Sequence, residues 1–164
     1  MALEQALITW IHLISSAVWV GGSLFIAIVF APILKTMSSS IEERLQIMIR
    51  VGRRFNKIAI PSLAILIGTG IFSAHQALIR PDFLMSTSYG VLLVIKMVLV
   101  AALLASFVIH VRIIRREIEQ KIVEKQLTED QIIKLRKKII IVGETTVVLS
   151  VAVLFFAALL DAGL

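Results

Sequence analysis

The sequence predicts an all-α integral membrane four-helix bundle, and three observations carry that reading. The first is composition: 59% of the 164 residues are hydrophobic and the mean hydropathy is +0.97, against roughly 45–50% apolar residues in soluble domains. A water-soluble domain of this length has nowhere to hide that surface. The second is the presence of four apolar segments, at about residues 7–34, 58–79, 89–114 and 139–160, each near the ~20 residues a helix needs to cross the hydrocarbon core. The third is the segregation of charge. Six basic residues (Lys35, Arg44, Arg50, Arg53, Arg54 and Lys57) lie between the first two segments and nine more between the last two, from Arg112 to Lys138. The N-terminus, the second connection and the C-terminal tail together carry only Arg80.

Backbone groups in lipid must be satisfied internally, so the four segments are expected to be helices packed as one bundle, a single domain over residues 1–164. The first lacks a basic flank and is too long for a signal-peptide core, so it is expected to be the first span. By the positive-inside rule the two basic connections face the cytoplasm and both termini face outward, in a multi-pass protein of the plasma membrane. The net charge of +6 is then mainly a topology signal, with attraction to anionic lipid at the cytoplasmic face beside it. Nucleic-acid binding is not indicated, because the basic stretches carry no aromatic interleaving or recognition motif.

After the first span, "MSSS" at Met37–Ser40 reads as a loop leading into the helical-looking "IEERLQIMIRVGRRF". The second basic connection, residues 112–138, repeats isoleucine at positions 114, 118 and 122, sets Glu117 four residues before Lys121, and gives Thr128 and Gln131 the spacing of a capping box. The third and fourth helices therefore are expected to continue beyond the membrane as a helical hairpin turning near Gln126–Thr128. That hairpin is either a solvated charged surface or a docking surface through which the chain joins a homo-oligomer or a larger membrane complex. The absence of cysteine excludes disulfides, iron–sulfur clusters and thiolate metal sites.

Topology assigns a depth to each polar residue inside the spans. His12, His75 and Lys96 fall in the outer half; His110 and Glu144 form a separate inner group near the cytoplasmic ends of the third and fourth helices. Lys96 and His110 share a face to within ~40° and stand ~21 Å apart. In the first helix His12, Ser15, Ser16, Trp19 and Ser23 form one stripe, expected to face the interior because polar groups in lipid are costly. Ala17 to Gly21 and Ala64 to Gly68 have small-residue spacing that would let backbones approach.

"WIHLISSAVWVGGSLF", "RFNKIAIPSLAILIGTGIFSA" and "STSYGVLLVIKMVLVAALL" together resemble the copper-resistance protein D (CopD) domain and, more loosely, the HemJ-type protoporphyrinogen oxidases. The resemblance covers roughly residues 7–110. In the HemJ-type proteins it implies a functional pair, a first-helix histidine linked to haem and a third-helix lysine, matching His12 and Lys96. For CopD-like proteins it implies copper handling across the membrane. The chain departs from both patterns: it has no Met- and His-rich outer segments, and "FAPIL" lacks the arginine expected after the glycines of a HemJ-type protein.

From the residues alone, haem b is chemically plausible, since it needs axial imidazoles on facing helices, an apolar pocket and small residues that admit the macrocycle. His12 and His75 are the candidate ligands. Trp19, Gly22 and Gly68 are candidate lining residues, and Lys96 would pair with a propionate, serve as a second ligand, or act as the catalytic lysine of a membrane oxidoreductase. Copper is the alternative, with imidazole donors but few nearby thioethers, Met85 and Met97 alone lying near the outer half. A cofactor-free accessory subunit is the third class. For each residue a structural role stands beside the functional one: His12 bonded to a neighbouring helix, His75 solvated, Lys96 snorkelling outward or paired with Asp161, and His110 and Glu144 in an interhelical polar contact rather than at a second cofactor or on a proton path. No phosphate loop, paired catalytic carboxylates or HExxH motif is present.

Overall fold

A computed structural model describes residues 2–37 and 40–163; Ser38 and Ser39, in the expected "MSSS" loop, lie outside the described residues. Four helices are long and apolar enough to cross a membrane, and the described residues contain no strand. The first, α1, runs over residues 2–37 and changes pitch twice, with π-helical stretches at Ala17–Gly21 and Phe25–Phe30. The others are α2 (Ile41–Leu78), α4 (Ser88–Ile113) and α6 (Glu129–Asp161), with short helices α3 (Pro81–Ser86) and α5 (Arg116–Val123) in the connections.

Local chemistry sets the boundaries. Ser40 caps α2 by accepting from the Glu43 amide at 3.3 Å, and Thr87 caps α4 by accepting from the Gly90 amide at 3.0 Å. The expected capping box starts α6: Gln131 N donates to Thr128 Oγ1, and Thr128 N donates to Gln131 Oε1 at 3.0 Å. At 38 residues α2 is about 57 Å long, nearly twice the ~30 Å hydrocarbon thickness. It begins at Ile41 rather than near residue 58, because no helix breaker separates "IEERLQIMIRVGRRF" from the apolar span.

The hairpin between α4 and α6 also differs from its expected form. The α4 helix ends at Ile113, the chain turns through Ile114 and an extended Arg115, and α5 folds back beside the basic half of α2. Ile114 and Ile122 are buried there with Leu45, Ile49, Ile113, Ile132 and Ile139, while Ile118 packs against them. The isoleucine repeat is thus absorbed within the chain. Glu119 fastens the arrangement through Arg50 Nε at 3.2 Å and Arg53 Nη1 at 2.7 Å. Glu117 and Lys121, whose spacing suggested a pair, form no ion pair among the described residues.

A second apolar cluster fills the membrane-spanning part, built on Trp19, Val20, Ala59, Leu63, Leu103 and Phe107. Trp19 is 2% exposed; its ring meets Phe107 edge-on at 4.8 Å and its indole N–H donates to Ser150 Oγ at 2.9 Å. Gly22 admits the Phe55 ring, which a Cβ there would overlap. The expected approach at the small-residue pairs is not what the helices use: Ala17, Gly21, Ala64 and Gly68 are all exposed, and a Cβ on Gly21 or Gly68 would meet nothing within 4 Å. Close packing is achieved one residue along, at Gly22, because the aromatic ring of Phe55 enters there.

Candidate functional site

The polar interior away from the basic end is organised around His12. The antiparallel packing of α1 on α2 brings the half-buried imidazole against Thr69 and Gly70: His12 Nδ1 lies 2.6 Å from Thr69 Oγ1, and a Cβ on Gly70 would stand 3.9 Å from His12 Cε1. The Thr69 hydroxyl donates to the Ile65 carbonyl at 2.7 Å. A hydroxyl has one proton, so with that proton on the carbonyl the oxygen accepts from His12 Nδ1–H. The hydrogen bond thereby selects the tautomer whose Nε2 carries a free lone pair, the form that binds a metal.

Lys96 on α4 lies within electrostatic range of this imidazole. It is half-buried, and among the described residues it makes no hydrogen bond or ion pair, with Asp161 or with any other group. Ser15, 5% exposed, and the half-buried Ser16 continue the polar stripe toward Trp19, so the helix-one stripe faces inward across the first π-helical stretch.

The other expected members are placed differently. His75 is exposed; six residues beyond Thr69, it is ~9 Å further along α2 and ~120° around it. It therefore does not share the face that meets His12. Met85 and Met97 are exposed. Gly68 faces outward, and Gly22 and Trp19 are occupied by core packing. Among the described residues no group of three or more His, Cys, Asp or Glu side chains is positioned to hold a metal.

The inner group is also dispersed. His110 packs on Gly143, where a Cβ would lie 3.4 Å from its Cε1, and its buried Nδ1 has no hydrogen-bond partner among the described residues. Glu144, the next residue, points outward and is exposed. One turn deeper, Ser106 and Thr146 join α4 to α6 at 2.8 Å.

Two residues that matter here were not singled out as partners from sequence. Thr69 was visible only as part of a Gly-Thr-Gly run, and Ser150 as a single serine in "VVLSVAV". A lone hydroxyl in an apolar span is itself a signal, since such groups usually face the bundle interior.

Four spanning helices with ionisable side chains turned into the bundle define a multi-pass membrane protein. The family model for copper resistance protein D matches residues 49–160, and the chain belongs to that family. The matched region contains His75, Lys96, His110 and Glu144 and begins after His12. A search of curated proteins gives no match, and a search of solved structures gives none.

Proposed function

We propose that this protein binds copper inside the membrane, with His12 Nε2 as the fixed donor, and passes it across the bilayer. The observation that carries this is the His12–Thr69 hydrogen bond, which holds the ring in place and, with the Thr69 proton on Ile65 O, leaves Nε2 with its free lone pair. Lys96 on α4, within electrostatic range of the imidazole, would supply a second nitrogen donor on giving up its proton to the incoming metal. Two donors make a sparse site, and sparse coordination suits cargo: an ion in transit must bind well enough to enter and weakly enough to leave. Membership of the copper resistance protein D family supports the choice of metal. The positive-inside rule orients the chain with the basic connections in the cytoplasm, so that His12 lies toward the outer face of the plasma membrane.

Haem b is the second reading, and the same feature favours it, because a fixed Nδ1–H tautomer also suits axial ligation to iron. The packing of Phe55 into Gly22 and of Phe107 and Ser150 around Trp19 weighs against a macrocycle on that side of the helix.

The test is metal analysis and absorption spectroscopy, oxidised and dithionite-reduced, on protein purified in mild detergent from copper- and haem-supplemented cells. Copper near one per chain, lost in His12→Ala, is the expected result. A Soret band with one iron per chain would replace copper by haem, and a colourless, metal-free sample would overturn both in favour of a cofactor-free subunit.

A further inference from the structure

The stretch "RRFNKIAIP" of α2 contains an asparagine that neither the fold nor the His12 site explains. Asn56 is 8% exposed, yet its carboxamide makes no hydrogen bond among the described residues. Its amide is not sealed in the interior but opens onto a slot that it lines, where it can take a partner from outside the chain. That slot, of about 290 Å³, lies between α2 and the end of α4. The walls are apolar, formed by Ile60, Val111 and Ile114, and the rim carries three cations, Arg53, Lys57 and Arg115.

The three cations are not equivalent. Arg53 is held by Glu119 at 2.7 Å, and Arg50 shares the same carboxylate, so the trio keeps one net positive charge but Arg53 itself is already tied to an anion. Lys57 and Arg115 are exposed and form no ion pair among the described residues. Both line the slot, one from α2 and one from the turn into α5. The slot sits where α2 passes from its basic half to its apolar span, with Ile58 and Ile60 exposed just beyond.

We propose that this slot is the binding site of one anionic phospholipid. The phosphate lies between Lys57 and Arg115, the Asn56 amide donates to a phosphate or glycerol oxygen, and the start of an acyl chain lies on Ile60, Val111 and Ile114. Basic pockets between spanning helices suit such head groups. The apolar walls distinguish a lipid from a free anion: inorganic phosphate would gain the cations but would leave the walls uncovered. The volume, at the low end of small-molecule pockets, matches a head group and glycerol rather than a segment of protein.

The experiment is native mass spectrometry of the full chain in detergent, with added phosphatidylglycerol or phosphatidylcholine of identical acyl chains. One phosphatidylglycerol per chain should persist at collision energies that strip phosphatidylcholine. The double variant K57A/R115A should bind it about thirtyfold more weakly, since each basic group near a bilayer contributes about a factor of five. The control K137A/K138A removes the same charge from exposed positions of α6 and should bind like the parent. Val111→Phe, which keeps both cations but fills the slot, should also lose the lipid. Equal retention of the two lipids by the parent chain would overturn the site without recourse to any variant. So would equal loss in K137A/K138A, which would indicate diffuse charge attraction, or full displacement by millimolar inorganic phosphate, which would indicate a soluble anion.

Discussion

His12 Nδ1 and Thr69 Oγ1 meet at 2.6 Å across the α1–α2 interface, and the Thr69 hydroxyl in turn donates to Ile65 O at 2.7 Å. On the copper reading, Thr69 acts through His12 by orienting its ring. Thr69→Val keeps the shape of the side chain and removes the acceptor, and it should weaken copper binding about 10–100-fold, the usual cost of losing the outer partner of a ligating histidine. His12→Ala should abolish binding. A copper titration of both variants checks this; unchanged affinity in Thr69→Val would remove the tautomer argument.

Trp19 and Ser150 form the polar lock of the membrane core. Ser150→Ala leaves a buried indole N–H without a partner and should cost about 0.6–2 kcal/mol, the range for interhelical hydrogen bonds in membrane bundles. Trp19→Ala removes the ring that Phe107 meets edge-on and should cost about 3–5 kcal/mol. Denaturant unfolding in detergent, followed by helical circular dichroism, orders the two; a larger loss in Ser150→Ala than in Trp19→Ala would contradict the packing described.

Neighbouring glycines should respond in opposite ways. Gly22→Ala places a methyl group against the Phe55 ring and should destabilise by about 1–3 kcal/mol, whereas Gly21→Ala points into open space and should be neutral or slightly stabilising through helix propensity. Phe55→Leu combined with Gly22→Ala should recover part of the loss. Thermal unfolding of the four proteins tests the asymmetry, and equal behaviour of the two alanine variants would refute it.

Glu119 joins α5 to α2 through two arginines of unequal exposure, 65% for Arg50 and 32% for Arg53. Glu119→Gln should cost about 1–3 kcal/mol, less than a fully buried pair because both arginines reach solvent. Arg53→Ala should cost more than Arg50→Ala. Proteolysis of the α4–α6 connection in the native protein reports the loosening directly, with faster cleavage expected in Glu119→Gln.

Much of the architecture was legible because hydropathy is summed over many residues and tolerates local error. The four spans are of that kind, whereas the Thr128–Gln131 capping box was legible as a local motif whose two partners lie three residues apart. The continuity of α2 was less so: the apolar segment at residues 58–79 draws the eye, while the polar helix before it joins without a break. Glu119 was obscured because helical spacing points to Glu117 and Lys121, whereas its partners are about 70 residues away in sequence. At the site, the inward stripe from His12 to Trp19 follows from period and polarity. Which hydroxyl meets His12, and which glycine receives a ring, depend on the register between helices, which no single segment encodes.

The length of α2 gives the molecule a mechanical character. Arg50 and Thr69, which grip the basic cap and His12 respectively, belong to one rod and lie ~28 Å apart along it. Between them stands Pro61, which cannot donate to the Lys57 carbonyl, so the rod has one softened joint. That joint lies beside the cationic slot. Between its grip on the cap and its grip on His12, α2 is therefore missing one rung of its own backbone ladder at Pro61.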